Sequence, residues 1–157
     1  MRTLICLLIV SFVAAFTSAA PSAQDHTAGQ APGDMLNGNQ IEAVPPEIGD
    51  LQLLTFLDLS VNRIETLAPE IGRLAALGTL DLNTNQLTTV PPELGNLAAL
   101  NFMNLSNNQL TALPARLGRL TALLELQLDG NPLTVPPPKV VAQGTQAVLE
   151  FLRQLRR

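Results

Sequence analysis

Asp81, Asn83 and Asn85 stand two residues apart in "TLDLNTNQLTTVPPELGNL", residues 79–97, in the D-x-N-x-N spacing that opens a calcium loop. Such a loop needs Gly at its sixth position, where the chain turns sharply, and a bidentate Glu at its twelfth to close the oxygen cage. Gln86 and Pro92 hold those places, and Glu93 comes one residue late, so no metal is expected. Asp58 and Asp81, 23 residues apart, are the remaining acid pair. At equivalent positions of adjacent parallel strands they would stand ~4.8 Å apart, a separation usable by a hydrolase. Without a pocket, however, exposed acids read as a solvated face. The sole His, His26, and the sole Cys, Cys6, fall near the N-terminus and supply no nucleophile with its base. The chain is therefore expected not to be an enzyme and to need no cofactor.

A chain of 157 residues with 46% hydrophobic content suits one domain. Arg2, the apolar run from Leu4 to Phe16 and the small residues Thr17, Ser18, Ala19 and Ala20 read as a secretory signal over 1–20, cleaved after Ala19 or Ala20. The run is short for a bilayer span, so the expected location is secreted or periplasmic. Cys6 leaves with the signal, and no disulfide is expected. Without Arg2, eight basic residues face thirteen acidic ones, a net charge of −5 that disfavours phosphate backbones and hence nucleic acid. Residues 21–33, "PSAQDHTAGQAPG", are small and polar and are expected to form a flexible leader.

From Leu51, Leu74, Leu97 and Leu120 the chain repeats LxxLxxLxLxxNxLxxLPxxLGx with a period of 23 and no gaps. Seven positions per line are apolar. Of the 28 over four lines 27 fit, Pro136 being the exception, against about 13 expected from composition alone. A partial line precedes them, with Leu36, Asn39, Ile41, Val44 and Ile48 in register. Each LxL reads as a short strand with leucines on one side and the intervening residue on the other. One turn cannot bury seven apolar side chains alone, so successive turns must stack with their strands in parallel.

Asn39, Asn62, Asn85, Asn108 and Asn131 recur directly after the strand. There an inward amide, with two donors and an acceptor, is expected to serve backbone groups of its own turn and of the next. Pro45–Pro46 and Pro91–Pro92 fix φ where the return begins. Gly49, Gly72, Gly95 and Gly118 mark a tight turn or a close approach of turns.

These lines, with their "LPPELGNL" endings, resemble the 23-residue kind of leucine-rich repeat. The resemblance implies an α/β repeat solenoid: a short array over residues 34–138 with parallel strands on a concave face, in which the recurrent asparagines form a ladder. After Asn131, "PLTVPPPKVVAQGTQAVLEFLRQLRR" places Val141, Val148, Leu152 and Leu155 at helical spacing, a capping helix over 139–157, with Arg153, Arg156 and Arg157 at its negative end. This ending resembles the segment closing the repeats of Ras-group and Roco-type leucine-rich repeat proteins. No GxxxxGK[ST] loop is present, so no nucleotide is expected. The first line is only half a repeat, and its parallel edge near Leu36 is open to weak pairing with a second copy.

The resemblance further implies recognition on the face opposite the leucines, whose outward residues follow from the register. They are Phe56, Asp58 and Ser60; Thr79, Asp81 and Asn83; Phe102, Asn104 and Ser106; and Glu125, Gln127 and Asp129. Phe56, Asp58, Thr79, Asp81, Phe102, Asn104, Glu125 and Gln127 are the expected ligand-binding set, with the two phenylalanines as apolar anchors in a polar rim. Four or five strands at ~4.8 Å give a patch of only a few hundred Å², so a protein partner would also engage the flanking loops. Asn104-Leu105-Ser106 is an N-glycosylation sequon on the same face. The expectation is an exported, noncatalytic protein-recognition module. The alternative is a structural or envelope-associated protein acting through self-association or a retained N-terminus.

Overall fold

The computed structural model describes residues 33–155; the expected signal, 1–20, and the leader as far as residue 32 lie outside the described residues, as do Arg156 and Arg157. Among the described residues, no helix is long and apolar enough to cross a membrane.

The four LxL segments and residues 33–35 of the half repeat each supply one strand of a parallel sheet in the order β1 (Gly33–Met35), β3 (Phe56–Asp58), β5 (Thr79–Asp81), β6 (Phe102–Asn104) and β7 (Glu125–Gln127). Every pairing joins residues 23 apart, as in Phe56 to Thr79, Thr79 to Phe102 and Phe102 to Glu125. The sequence period is therefore the register of the sheet. Leu57, Leu80 and Met103 point inward and are fully buried, with Leu59, Leu82 and Leu105 beside them. A second ladder, absent from the sequence expectation, pairs β2 (Ala43–Val44) with β4 (Thr66–Leu67) in the same register on the return segment.

The return itself is a five-residue 3₁₀ turn in each line, over 46–50, 69–73, 92–96 and 115–119. The residue before each turn is extended, and Pro46, Pro69 and Pro92 open the first three. There the missing N–H costs nothing and the fixed φ is already helical. Ile48, Ile71, Leu94 and Leu117 close the core from this side. A Cβ on Gly72 or Gly95 would collide with the backbone carbonyl of Glu93 or Arg116 in the following turn. Close approach of turns thus fills these positions with glycine.

Instead of one capping helix from residue 139, the chain forms α1 (Pro138–Val141) and α2 (Thr145–Gln154). Gly144, at φ +90°, separates them with a conformation that no helix contains. Val148, Leu149 and Leu152 of α2 are buried, whereas Leu155 is exposed. Where Gly95 meets Arg116 of the next turn, Gly118 meets the backbone and side chain of Arg153. The Arg153 Nε donates to the Gly118 carbonyl at 2.7 Å. Arg153, expected only to complement the helix dipole, fastens α2 in the place of a fifth turn.

The recurrent asparagines form the ladder. Asn85 Nδ2 donates to the carbonyls of Leu82 in its own turn and Leu59 in the preceding one, both at 3.0 Å, while its Oδ1 accepts the Ile64 N–H at 3.0 Å. Asn62, Asn108 and Asn131 repeat the pattern one line apart. The bridge therefore runs to the preceding turn and not to the next. Among the described residues, Asn39 of the half repeat donates to the Leu36 and Asn37 carbonyls.

The residue before each ladder asparagine is left-handed throughout: Gly38, Val61, Thr84, Asn107 and Gly130 have φ from +54° to +73°. This twist swings the asparagine from the sheet face to the interior. Glycine and asparagine adopt it readily, but β-branched Val61 and Thr84 do so at a cost of about 1–2 kcal/mol each.

Asn85→Leu is expected to lower the free energy of urea unfolding by about 1–3 kcal/mol through unpaired buried groups. Unchanged stability would contradict the ladder's energetic role. Val61→Asn, at a 53% exposed position, is expected to raise the urea midpoint by relieving about 1 kcal/mol of strain; an unchanged or lower midpoint would show that strain is relaxed elsewhere.

Candidate functional site

The outward positions of β3, β5, β6 and β7 line up in rows because the register never slips. The first row is Phe56, Thr79, Phe102 and Glu125. Its phenylalanines are half-buried, and Glu125 is exposed. The two rings are thus less open than alternation alone suggests.

The second row is Asp58, Asp81, Asn104 and Gln127. Here the structure departs from a simple exposed face, for Asn104 is only 8% exposed, as is Ser106 in the third row. Asp58 Oδ1 accepts the Ser60 N–H at 2.9 Å, Asp81 Oδ1 the Asn83 N–H at 2.8 Å and Asn104 Oδ1 the Ser106 N–H at 3.0 Å. These side-chain turns end the strand by bonding the amide two residues on. The signal was present in sequence as "DLS", "DLN" and "NLS", an acid or amide followed two residues later by Ser or Asn.

Bonds also cross between rungs. Asn37 Nδ2 donates to Asp58 Oδ2 at 2.7 Å, and Asn104 Nδ2 reaches Asp81 Oδ2 at 3.4 Å. Asn37 lay in the half repeat and was not among the expected site residues. Further along, Asn107 Nδ2 donates to Asn83 Oδ1 at 3.0 Å, while within β7 Gln127 Nε2 donates to Glu125 Oε1 at 2.7 Å. The Asn104 amide is engaged at both ends, so the sequon's acceptor nitrogen is tied into the sheet face and not presented to solvent.

Burial pushes the Asp58 carboxyl up, but the Asn37 amide, the Ser60 hydroxyl and the Ser60 N–H together outweigh it and hold the carboxyl below its ordinary value. Asp58 is thus an ionised acceptor at neutral pH, the opposite of what a general acid requires. Asp81 and Asn85 point to opposite sides of the strand, one toward the face and the other into the ladder. The D-x-N-x-N oxygens therefore do not converge. Among the described residues no group of three or more His, Cys, Asp or Glu is placed to hold a metal.

Two leucines that the register did not single out flank this face. Leu53 and Leu124, 82% and 77% exposed, lie in the loops leading into β3 and β7.

A family profile described as leucine rich repeat matches residues 52–110 and 75–133, together more than half of the chain. No curated protein matches. Among solved structures, the chain is similar to an LRR protein of Leptospira interrogans, with 41% identity, a TM-score of 0.62 and coverage of 67% of this chain and 26% of that one. It is also similar to a plant peptide hormone receptor, RGFR1, in complex with RGF2, with 40% identity, a TM-score of 0.58 and coverage of 63% and 16%. The chain thus spans about a quarter of the first protein and a sixth of the second.

Because the Asp58 carboxyl is depressed in the fold, its bonds contribute stability that is full above the unfolded value of about 3.9 and is lost as pH falls through the lower folded value. Asp58→Asn is expected to flatten the acid limb of a Tm-versus-pH profile below about pH 4. A variant with the parent's acid dependence would show that these bonds carry no stability.

Proposed function

The chain belongs to the leucine-rich repeat family, and on that premise we propose that it is an exported, noncatalytic module that binds a protein partner through the concave face of its sheet. Protein interaction is the role that the repeat fold supports. The observation that carries the finer reading is the pair of half-buried phenylalanines, Phe56 and Phe102, in one row of the sheet face and bordered by the polar rows. Apolar anchors ringed by hydrogen-bonding groups are how a small interface gains affinity. A similar structure being a peptide hormone receptor in complex with RGF2 supports recognition as the kind of work done. Export rests on Arg2, the apolar run Leu4 to Phe16 and the small residues that follow.

The noncatalytic reading is supported by the carboxylates themselves. Both oxygens of Asp58 and of Asp81 accept bonds that shape strand ends or link rungs. A residue committed to holding its own turn is poorly free to shuttle protons.

A pull-down from the native medium and envelope fractions should compare wild type with the Phe56→Ala, Phe102→Ala double variant. Partners held by the wild type are expected to bind the variant at least about tenfold more weakly, the size of a modest hot spot. Equal recovery by both, with the variant's urea midpoint showing it folded, would place recognition on another face.

A further inference from the structure

The concave face is acidic as well as apolar. Its outward residues include Asp58, Asp81, Glu125 and Asp129 and not one Lys or Arg. Asp58 and Asp81 are direct partners across β3 and β5, so their Cα atoms stand one strand spacing apart, ~4.8 Å, with both side chains on the same face. Like charges placed directly opposite on a sheet repel. Their hydrogen-bond partners, Asn37, Ser60, Asn83 and Asn104, are all neutral. The salt bridges among the described residues, Arg116–Glu93 and Arg153–Glu150, do not reach this face. The two charges are therefore fixed in direction by the turns and, among the described residues, left without a salt-bridge partner. Because a carboxylate offers about four lone-pair sites, each retains room for an incoming donor.

The spacing of the anchors sets the shape of what fits. Phe56 and Phe102 lie two strand spacings apart, ~9.6 Å, with Thr79 between them. In a polyproline II segment, which rises about 3.1 Å per residue with three residues per turn, side chains three apart repeat every ~9.3 Å. Such a segment running across the strands would place one apolar side chain at each phenylalanine. A side chain between them would project over the neighbouring row, where Asp58 and Asp81 stand. Size points the same way: five strands span about 19 Å, the length of roughly six extended residues, whereas a globular partner would need ~800 Å².

Resting on the concave-face reading, we propose that this face takes an extended cationic peptide segment in which a Lys or Arg lies between two apolar side chains three residues apart. The cation is shared by Asp58 and Asp81, and the apolar side chains pack on Phe56 and Phe102.

The probe is a fluorescein-labelled peptide, Gly-Pro-Leu-Pro-Arg-Leu-Pro-Gly, with one control carrying Glu for Arg and another carrying Ser for both Leu, followed by fluorescence anisotropy at low and high salt. The Arg peptide is expected to bind the full chain more weakly as salt rises, and both controls to bind at least about tenfold more weakly at low salt. Asp58→Asn with Asp81→Asn should weaken the Arg peptide about tenfold. Asn104 already makes the same turn in this chain, so the folded structure is expected to persist, and the urea midpoint checks it. No binding of the Arg peptide, equal binding of the Glu control, or indifference to the Asp variants would each overturn the cationic class. If in the pull-down the Phe56→Ala, Phe102→Ala variant still lost the partners of the wild type, the concave-face reading would stand alone; if it kept them, that reading would fall as well.

Discussion

A backbone that leaves a strand and bends inward abandons its ladder partners at the point where water is excluded, and those groups must be bonded. In this molecule a single amide per turn meets that need. Asn62, Asn85, Asn108 and Asn131 each take carbonyls from their own turn and the one before, and each returns an acceptor to an N–H 21 residues upstream. That double reach ties neighbouring turns to one offset. The inward leucines, the left-handed residue preceding each asparagine, the 3₁₀ turns and the glycines that admit the next turn's carbonyl all follow from it. Hydrophobic burial supplies most of the driving force, but it tolerates sliding; the amide does not.

Much of this was legible because the constraint is written in residue types that recur at one spacing. Leu57, Leu80 and Met103, or Asn85 and Asn108, announce their roles by repetition. What repetition could not disclose was direction and conformation. Nothing in the letters tells whether Asn85 reaches forward or back, since the same amide could bond the carbonyls of either neighbouring turn. Val61 and Thr84 gave no sign of that residue either, since both are types that normally avoid it. Gly144 was visible, yet the helical spacing on both sides of it suggested a single helix, when its φ of +90° makes two.

The face was legible by register and less so by exposure. Alternation correctly put Phe56, Asp58, Thr79 and Asp81 on the side away from the core, but it treats each strand alone. Stacking at one strand spacing makes neighbours shade one another, which is why Asn104 and Ser106 are nearly covered. It also brought together groups far apart in sequence, such as Asn37 with Asp58 and Asn83 with Asn107. The residues that shape the face and those offered to a partner are therefore largely the same, with part of each side chain's bonding already used internally.

The contact between Gly118 and Arg153 bears on how such a molecule changes length. Glycine meets the next turn's backbone throughout the array, and at the last turn it meets α2 in an equivalent way. The socket that receives the cap is thus the one that receives a repeat. A whole 23-residue line inserted ahead of the cap, or removed there, leaves both mating surfaces unchanged and lengthens or shortens the sheet by a single strand. An insertion of any other length would break the asparagine register and the glycine contact together. Duplication in complete units is consequently the mildest route by which this surface can be widened to suit a larger partner.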